Sequence, residues 1–236
     1  MLSLVGLLFS LVIAKGVRDA VIRRALDGFA DGLVSVPLTD ALSMTLTRDF
    51  LTEGEIGRLK RVASPKLKTS QVLRPGGKSA AKSSIRTSSS AFLVGFWIDP
   101  IVAVVKRKAA ILAKVPLSHI ENIQVVRYRE GEYYGPHLDA MNFERFPGEA
   151  KKGQRAATVL VYLNDIANGS GKTSFPKLGL EVSPQRGQAL YFRNTASDGS
   201  INPQSLHAGL PVHGEGMVKW ALNIWIRDRA LPWNHR

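Results

Sequence analysis

Residues 158–163 read Thr158-Val159-Leu160-Val161-Tyr162-Leu163 and are closed by Asn164-Asp165. β-branched, aliphatic and aromatic residues ended by a turn pair read as a short strand. Outward from it, similar runs cover Ile123–Tyr128, Gly187–Phe192, Ser205–Val212 and Val218–Arg227, separated by Gly, Pro, Asn and Asp turns. Upstream the pattern is helical. Thr52 followed by Glu55 forms a capping box that opens a helix near Glu53 to Val62. Pro100 to Ala113 is a second helical stretch, with proline in the first turn, where it is well tolerated. Between these helices, Ser64 to Ser90 is rich in Ser, Lys, Gly and Pro and reads as a flexible loop. Helices followed by many short strands predict an α+β chain whose core is a double-stranded β-helix, or jelly roll, with N-terminal supporting helices. A chain of 236 residues can bury one substantial core.

Met1 to Ala14 is an apolar run without charge, short for a bilayer span of about 20 residues. Val12-Ile13-Ala14 resembles a signal-peptidase site, so residues 1–14 read as a signal peptide or short signal-anchor. A buried N-terminal helix is the alternative. Lys15, Arg18, Arg23 and Arg24 follow closely and oppose clean translocation. The endoplasmic reticulum or secretory pathway is therefore expected if the run is a signal, and the cytoplasm if it is not. Residues 15–43 are expected to form a helical stem, because Val17, Val21, Leu26, Phe29 and Leu33 recur at roughly helical spacing. The main domain would then run from 44 to 230.

The chain contains no cysteine, which excludes disulfides, thiolate zinc sites and a cysteine nucleophile. Any metal must be held by nitrogen and oxygen. The net charge of +13 is uneven: from Arg58 to Lys114 there are thirteen Lys and Arg against one acid, Asp99. Such a strip suits an acidic partner or is simply a solvated basic face. Few aromatics accompany the lysines, so stacking on single-stranded nucleic acid is not supported, and no nucleic-acid partner is expected.

His137-Leu138-Asp139, with His207 seventy positions beyond the first histidine, supplies two imidazoles and one carboxylate. That donor set fits the facial triad of non-haem Fe(II), which leaves coordination positions open. On a strand, residues i and i+2 share a face, so His137 and Asp139 can reach one metal. His213 is a rival third ligand, while His119 and His235 look incidental.

The surrounding blocks resemble the prolyl 4-hydroxylases of the 2-oxoglutarate and Fe(II)-dependent dioxygenases, from about Leu46 to Arg229. The resemblance is carried, in order, by Arg86-Thr87-Ser88 with Phe92-Leu93, by Glu121 to Tyr128, by Tyr134-Gly135-Pro136-His137-Leu138-Asp139, by Arg155 to Asp165, by Thr173-Ser174-Phe175-Pro176 and by Ser205 to Gly209. It implies His137, Asp139 and His207 as iron ligands. Lys219, with the hydroxyls of Tyr128 and Thr158, would hold the distal carboxylate of 2-oxoglutarate. Tyr134, Arg155 and Trp225 would shape the proline pocket, with Arg86 and Ser88 in a mobile loop, near Lys82 to Ser90, that covers the substrate. The implied reaction hydroxylates peptidyl proline at C4 with O2, releasing succinate and CO2, with ascorbate rescuing the iron.

The chain departs from the family pattern at Ser90, Lys172, Leu210 and Arg227, and Lys219 lies twelve residues after His207 where about ten is usual. Ser90 and Arg227 concern substrate handling, leaving peptide preference open. The implied partner is a proline-containing polypeptide, acidic if the basic strip contacts it, and membrane association would go through residues 1–14. Two other readings stand beside this one: an oxygenase of the same kind acting on another substrate such as nucleic acid, and a non-catalytic peptide-binding module.

Overall fold

The computed structural model describes residues 4–72, 84–94 and 99–232, with side chains from Lys15 onward. Its larger sheet has eight strands. In spatial order these are β1 (Ser35–Thr39), β2 (Met44–Thr47), β10 (Ala189–Arg193), β7 (Arg155–Tyr162), β12 (Val218–Arg227), β5 (Ile123–Arg129), β4 (Ser89–Leu93) and β3 (Lys68–Thr69). The smaller sheet has four: β6 (Tyr134–His137), β11 (His207–Gly209), β8 (Thr173–Phe175) and β9 (Leu180–Val182). Every ladder between these strands is antiparallel. The two sheets build the jelly roll, as expected.

Strand alternation divides the larger sheet into two chemically distinct faces. In β7, Ala157, Val159 and Val161 enter one apolar cluster, while Leu160 and Tyr162 enter another. In β12, Leu222, Ile224 and Ile226 join the first cluster and Ala221 the second. That is the period of two that a pleated strand imposes. The first cluster is roofed by α2 (Glu53–Ala63) and α3 (Pro100–Ala113). The second fills the space between the two sheets and includes Phe175 and Val182 of the smaller one.

The helices are pinned by charge as well as by burial. The capping box forms as expected: Thr52 N donates to Glu55 Oε2 at 2.8 Å, and Glu55 N to Thr52 Oγ1 at 3.3 Å. The same Glu55 pairs with Lys108 of α3 at 2.7 Å. Asp99 caps α3 through the Ile101 amide and pairs with Arg58 of α2 at 2.6 Å. Part of the basic strip is therefore structural.

Several expectations are corrected. Residues 15–43 are not helical throughout: α1 (Leu4–Leu26) ends before Gly28, which has φ +65°. Ser35–Thr39 then pairs with Met44–Thr47, so the sheet begins before residue 44. Pro37, which cannot complete a ladder on both sides, sits on this edge strand beside a register shift. Ser64–Ser90 is not one loop either, because Lys68 and Thr69 pair with Ser90 and Ser89. Arg86 and Ser88 are buried, and Ser89 and Ser90 belong to β4, so residues 86–90 are part of the sheet wall rather than a covering loop. Lys82 and Ser83 lie outside the described residues. The run expected from Ser205 to Val212 is a strand only over His207–Gly209. Pro211, which lacks an N–H, follows closely.

Among the described residues no helix is long and apolar enough to cross a membrane. The expected signal or anchor falls on residues 1–14, of which 4–14 are helical and 1–3 lie outside the described residues.

Leu222 is fully buried between sheet and helices. Leu222→Ala is expected to lower unfolding stability by about 2–5 kcal/mol, while the exposed Arg61→Ala stays within about 0.5 kcal/mol. Urea denaturation of both variants checks this.

Candidate metal centre

His137 and His207 are directly opposite each other in the β6–β11 ladder. Antiparallel pairing thus turns a separation of seventy residues into rings whose centroids lie 4.3 Å apart. Each ring is oriented by its own backbone. His137 Nδ1 donates to Gly135 O at 2.9 Å, and His207 Nδ1 to Ser205 O at 2.8 Å. A carbonyl can only accept, so the proton sits on Nδ1 and the Nε2 lone pair is free for a metal.

Asp139 follows in a bend just beyond β6, rather than within the strand. Its Oδ1 lies 3.8 Å from His137 Nε2 and its Oδ2 3.7 Å from His207 Nε2. The three groups offer ligand atoms all within 4.8 Å of one another. Burial pushes the His137 imidazole down to about 3, with His207 adding to the effect, which keeps the ring neutral. Burial alone would raise the Asp139 carboxyl, but His207, His137, Arg155 and Thr158 outweigh it and hold the group below its usual range. Two imidazoles and a carboxylate, all nitrogen and oxygen donors, suit Fe(II).

Thr158 does not act where the resemblance put it. Its Oγ1 donates to Asp139 Oδ2 at 2.6 Å and accepts from Asn194 Nδ2 at 2.9 Å. It orients a metal ligand rather than meeting a carboxylate beside Lys219. The reason is register: Thr158 lies opposite Trp225, six residues along β12 from Lys219.

Lys219 itself lies opposite Tyr128 in the β12–β5 ladder and is 3% exposed. Its Nζ donates to Gly171 O at 2.6 Å and lies 5.3 Å from the Tyr128 ring and 5.7 Å from that of Tyr162. Among the described residues no carboxylate pairs with it. Burial pushes its ammonium down to about 7. Gly171 is at φ +62°, a backbone conformation in which any other side chain would be strained. A buried cation without an anion is the expected signature of a site for an anionic ligand. Thr173 also lines this end of the cleft and accepts a 2.8 Å hydrogen bond from Tyr162. Sequence reasoning assigned neither residue a role, although Thr173 heads a motif block.

Both centres open into one cleft of about 1130 Å³. Tyr134 stacks on His137, with centroids 3.6 Å apart and planes 13° apart, and carries the Arg86 guanidinium over its ring at 4.6 Å. Arg155 lies 3.8 Å over the Trp225 ring, and Trp225 Nε1 is buried without a partner among the described residues. Tyr134, Arg155, Trp225 and Arg86 line the cleft. Ser88 does not. Its hydroxyl accepts from Arg86 Nε at 3.3 Å and donates to Ser70 at 2.9 Å, so it acts through Arg86.

Arg155 is fixed by Glu121 at 2.8 and 3.0 Å, and Glu121 is shared with Arg227, which also reaches Glu149 at 2.8 Å. Burial would raise the Glu121 carboxyl, but Arg155 and Arg227 hold it low. Arg227, noted only as a departure in the sequence, is thus a buried clamp on the cleft wall. Its partner is 106 residues away, and no local signal could have shown it. The other departure, Lys172, pairs with Glu181 at 3.1 Å across the edge of the smaller sheet. His213 is exposed in a turn and His119 bonds to Arg227 O, so neither competes for the metal.

Residues 123–227 match the profile of the 2OG-Fe(II) oxygenase superfamily. The chain is similar to prolyl 4-hydroxylase 1 of Arabidopsis thaliana, at 35% identity over 77% of this chain and 68% of the relative. It is 32% identical to prolyl 4-hydroxylase subunit alpha-1 of Rattus norvegicus over 77% of this chain and 34% of that protein. The chain thus spans about two thirds of the plant relatives and a third of the rat subunit. Among solved structures it resembles the viral collagen prolyl hydroxylase of Paramecium Bursaria Chlorella virus-1 in its 2OG complex. The TM-score is 0.60 at 25% identity, covering 78% of this chain and 94% of that one. A Pseudomonas putida prolyl-4-hydroxylase shares the fold, with TM-score 0.53 at 16% identity over 89% of this chain and all of the other.

The Lys219 ammonium has a testable consequence. The unfolded chain keeps that proton up to its ordinary 10.5, the folded chain only to about 7. Between these values the unfolded state binds more protons, so this group makes stability rise with pH. The metal-free protein is expected to gain stability relative to Lys219→Met as pH rises from about 7 to about 10. Denaturant titrations across that range check it, and a constant difference would contradict the buried, unpaired charge.

Proposed function

The chain belongs to the prolyl 4-hydroxylases of the 2OG-Fe(II) oxygenase superfamily, and from that membership we propose that it hydroxylates peptidyl proline at C4 while converting 2-oxoglutarate to succinate and CO2. The observation that carries the reading is that the His137–Asp139–His207 cluster and the unpaired Lys219 open into the same cleft. One supplies a metal site with free positions, the other an anchor for an anion, and together they suit a bound metal and an acidic co-substrate.

Iron and 2-oxoglutarate, when bound, would supply the oxidising chemistry, which couples co-substrate decarboxylation to hydroxylation of a C–H bond. His137, Asp139 and His207 would hold the metal, with Thr158 and the Gly135 and Ser205 carbonyls fixing their orientation. Lys219 neutralises the distal carboxylate. Tyr128 and Thr173, which line the same end of the cleft, offer it hydroxyls. Tyr134, Arg155 and Trp225 form a rigid wall for a flat, apolar ring such as proline. Their rigidity comes from stacking and from the Glu121–Arg227 clamp. Holding the reacting C–H in place is the protein's main contribution to such chemistry. Ascorbate serves to restore iron after uncoupled turnovers.

Nucleic-acid oxidation is not favoured, because the relatives are prolyl hydroxylases. A non-catalytic module is not favoured either, because triad and cation are both intact.

The test is mass spectrometry of a proline-peptide library incubated with the full chain, Fe(II), 2-oxoglutarate and ascorbate. Peptides are expected to gain one oxygen on proline, with succinate released. His137→Ala is expected to lose both products through loss of a metal ligand. Retention of full activity by that variant would show the metal assignment to be wrong.

A further inference from the structure

The cleft's carboxylates are already engaged. Glu121 is held by Arg155 and Arg227, Glu149 by Lys152 and Arg227, and Asp139 belongs to the triad. Two of its cations are not. Lys66 and Lys68 line the cleft, are exposed, and form no ion pair with any described residue. The segment joining β3 to β4, between Thr69 and Ser89, contains no Asp or Glu that could neutralise them.

Register places Lys68 on the substrate side, and Lys66, in the turn just before β3, lines the same cleft. Lys68 lies opposite Ser90, and paired residues of an antiparallel ladder share a face. Ala91 and Leu93 of β4 enter the helix-side core, so Ser90 and Phe92 face the cleft, and Lys68 with them. Phe92 is half exposed, and its ring lies 6.3 Å from Trp225. The ladders set Lys68 level with Ser90, Val126 and Ala221, so it lies three strands across and four residues along from Trp225. At about 4.8 Å per strand and ~3.3 Å per residue the backbones are roughly 20 Å apart, which sets the ammonium groups roughly 15–20 Å from Trp225. An extended peptide covers that distance in about five to six residues, at ~3.1–3.4 Å each.

Resting on the prolyl hydroxylase reading, we infer that Lys66 and Lys68 are specificity residues that select a substrate carrying an acidic residue five to six positions from the target proline. The apolar platform of Phe92 and Trp225 takes the intervening chain. The lysines meet the Asp or Glu carboxylate at the β3 rim. Selection at this distance concerns binding, so it falls on KM rather than kcat.

The test uses the full chain with Fe(II), 2-oxoglutarate and ascorbate. Its substrates are proline-containing peptides differing only in Glu, Ser or Lys at the fifth and sixth positions before or after the target. The Glu peptides are expected to have kcat/KM about threefold to tenfold above the Ser peptides, with the Lys peptides below both. The difference should lie in KM and collapse at about 0.5 M salt, because exposed charges are screened. In the Lys66→Glu/Lys68→Glu double variant the ratio of Glu to Lys peptide should invert. Equal KM for Glu and Ser peptides at low salt, or an unchanged ratio in the double variant, overturns the inference and leaves proline hydroxylation standing. Failure to hydroxylate any peptide overturns both together.

Discussion

The pairing of β6 with β11 is the constraint on which the site depends. It sets His137 opposite His207, and neither strand is longer than four residues. Such short strands cannot hold their own register. They are held because Phe175 and Val182 of neighbouring strands lie in the core shared with Leu160, Tyr162 and Ala221 of the larger sheet. Metal affinity and packing between the sheets are therefore one property, and a slip of one residue would turn a ligand away from its partner.

The larger sheet performs a different task on each face. Its outer face buries apolar side chains under α2 and α3 and supplies rigidity. Its inner face carries Thr158 and Trp225 side by side at one level and Lys219 six residues along β12, so the bond to Asp139, the Arg155 stack and the buried ammonium all rest on one rigid surface. Rigid strands suit this work because productive geometry tolerates little error. The clamp from Arg155 through Glu121 to Arg227 extends the same rigidity to a side chain that would otherwise swing freely. Gly153 is part of that clamp: its carbonyl accepts from Arg227, it has φ +77°, and an added Cβ would strike Asp228.

Much of this was legible in the chain itself. The bounds of α2 and α3 follow from local signals, the Thr52–Glu55 box and the Asp99-Pro100 start. Strand β12 is long and rich in Val, Ile and Trp, and its observed span equals the expected one. The three-residue strands β8, β9 and β11 are too short for any periodicity to register. The metal ligands could be read because two lie in one short motif and the third in an ordered block. Thr158 was misplaced because a hydroxyl's partner is decided by register across the sheet. Arg227 and Glu121 were invisible as a pair because long-range ion pairing leaves no trace in local sequence. Residues 86–90 looked mobile by composition, but their polar side chains are satisfied inside the wall.

Lys219 also links metabolism to persistence. A site that holds a buried cation without its anion is strained while empty, and a ligand that binds only the folded chain shifts the folding equilibrium by mass action. If Lys219 holds 2-oxoglutarate as proposed, that ligand would stabilise the folded chain as well as support turnover. A fall in its supply would then slow the reaction and enlarge the unfolded pool open to proteolysis.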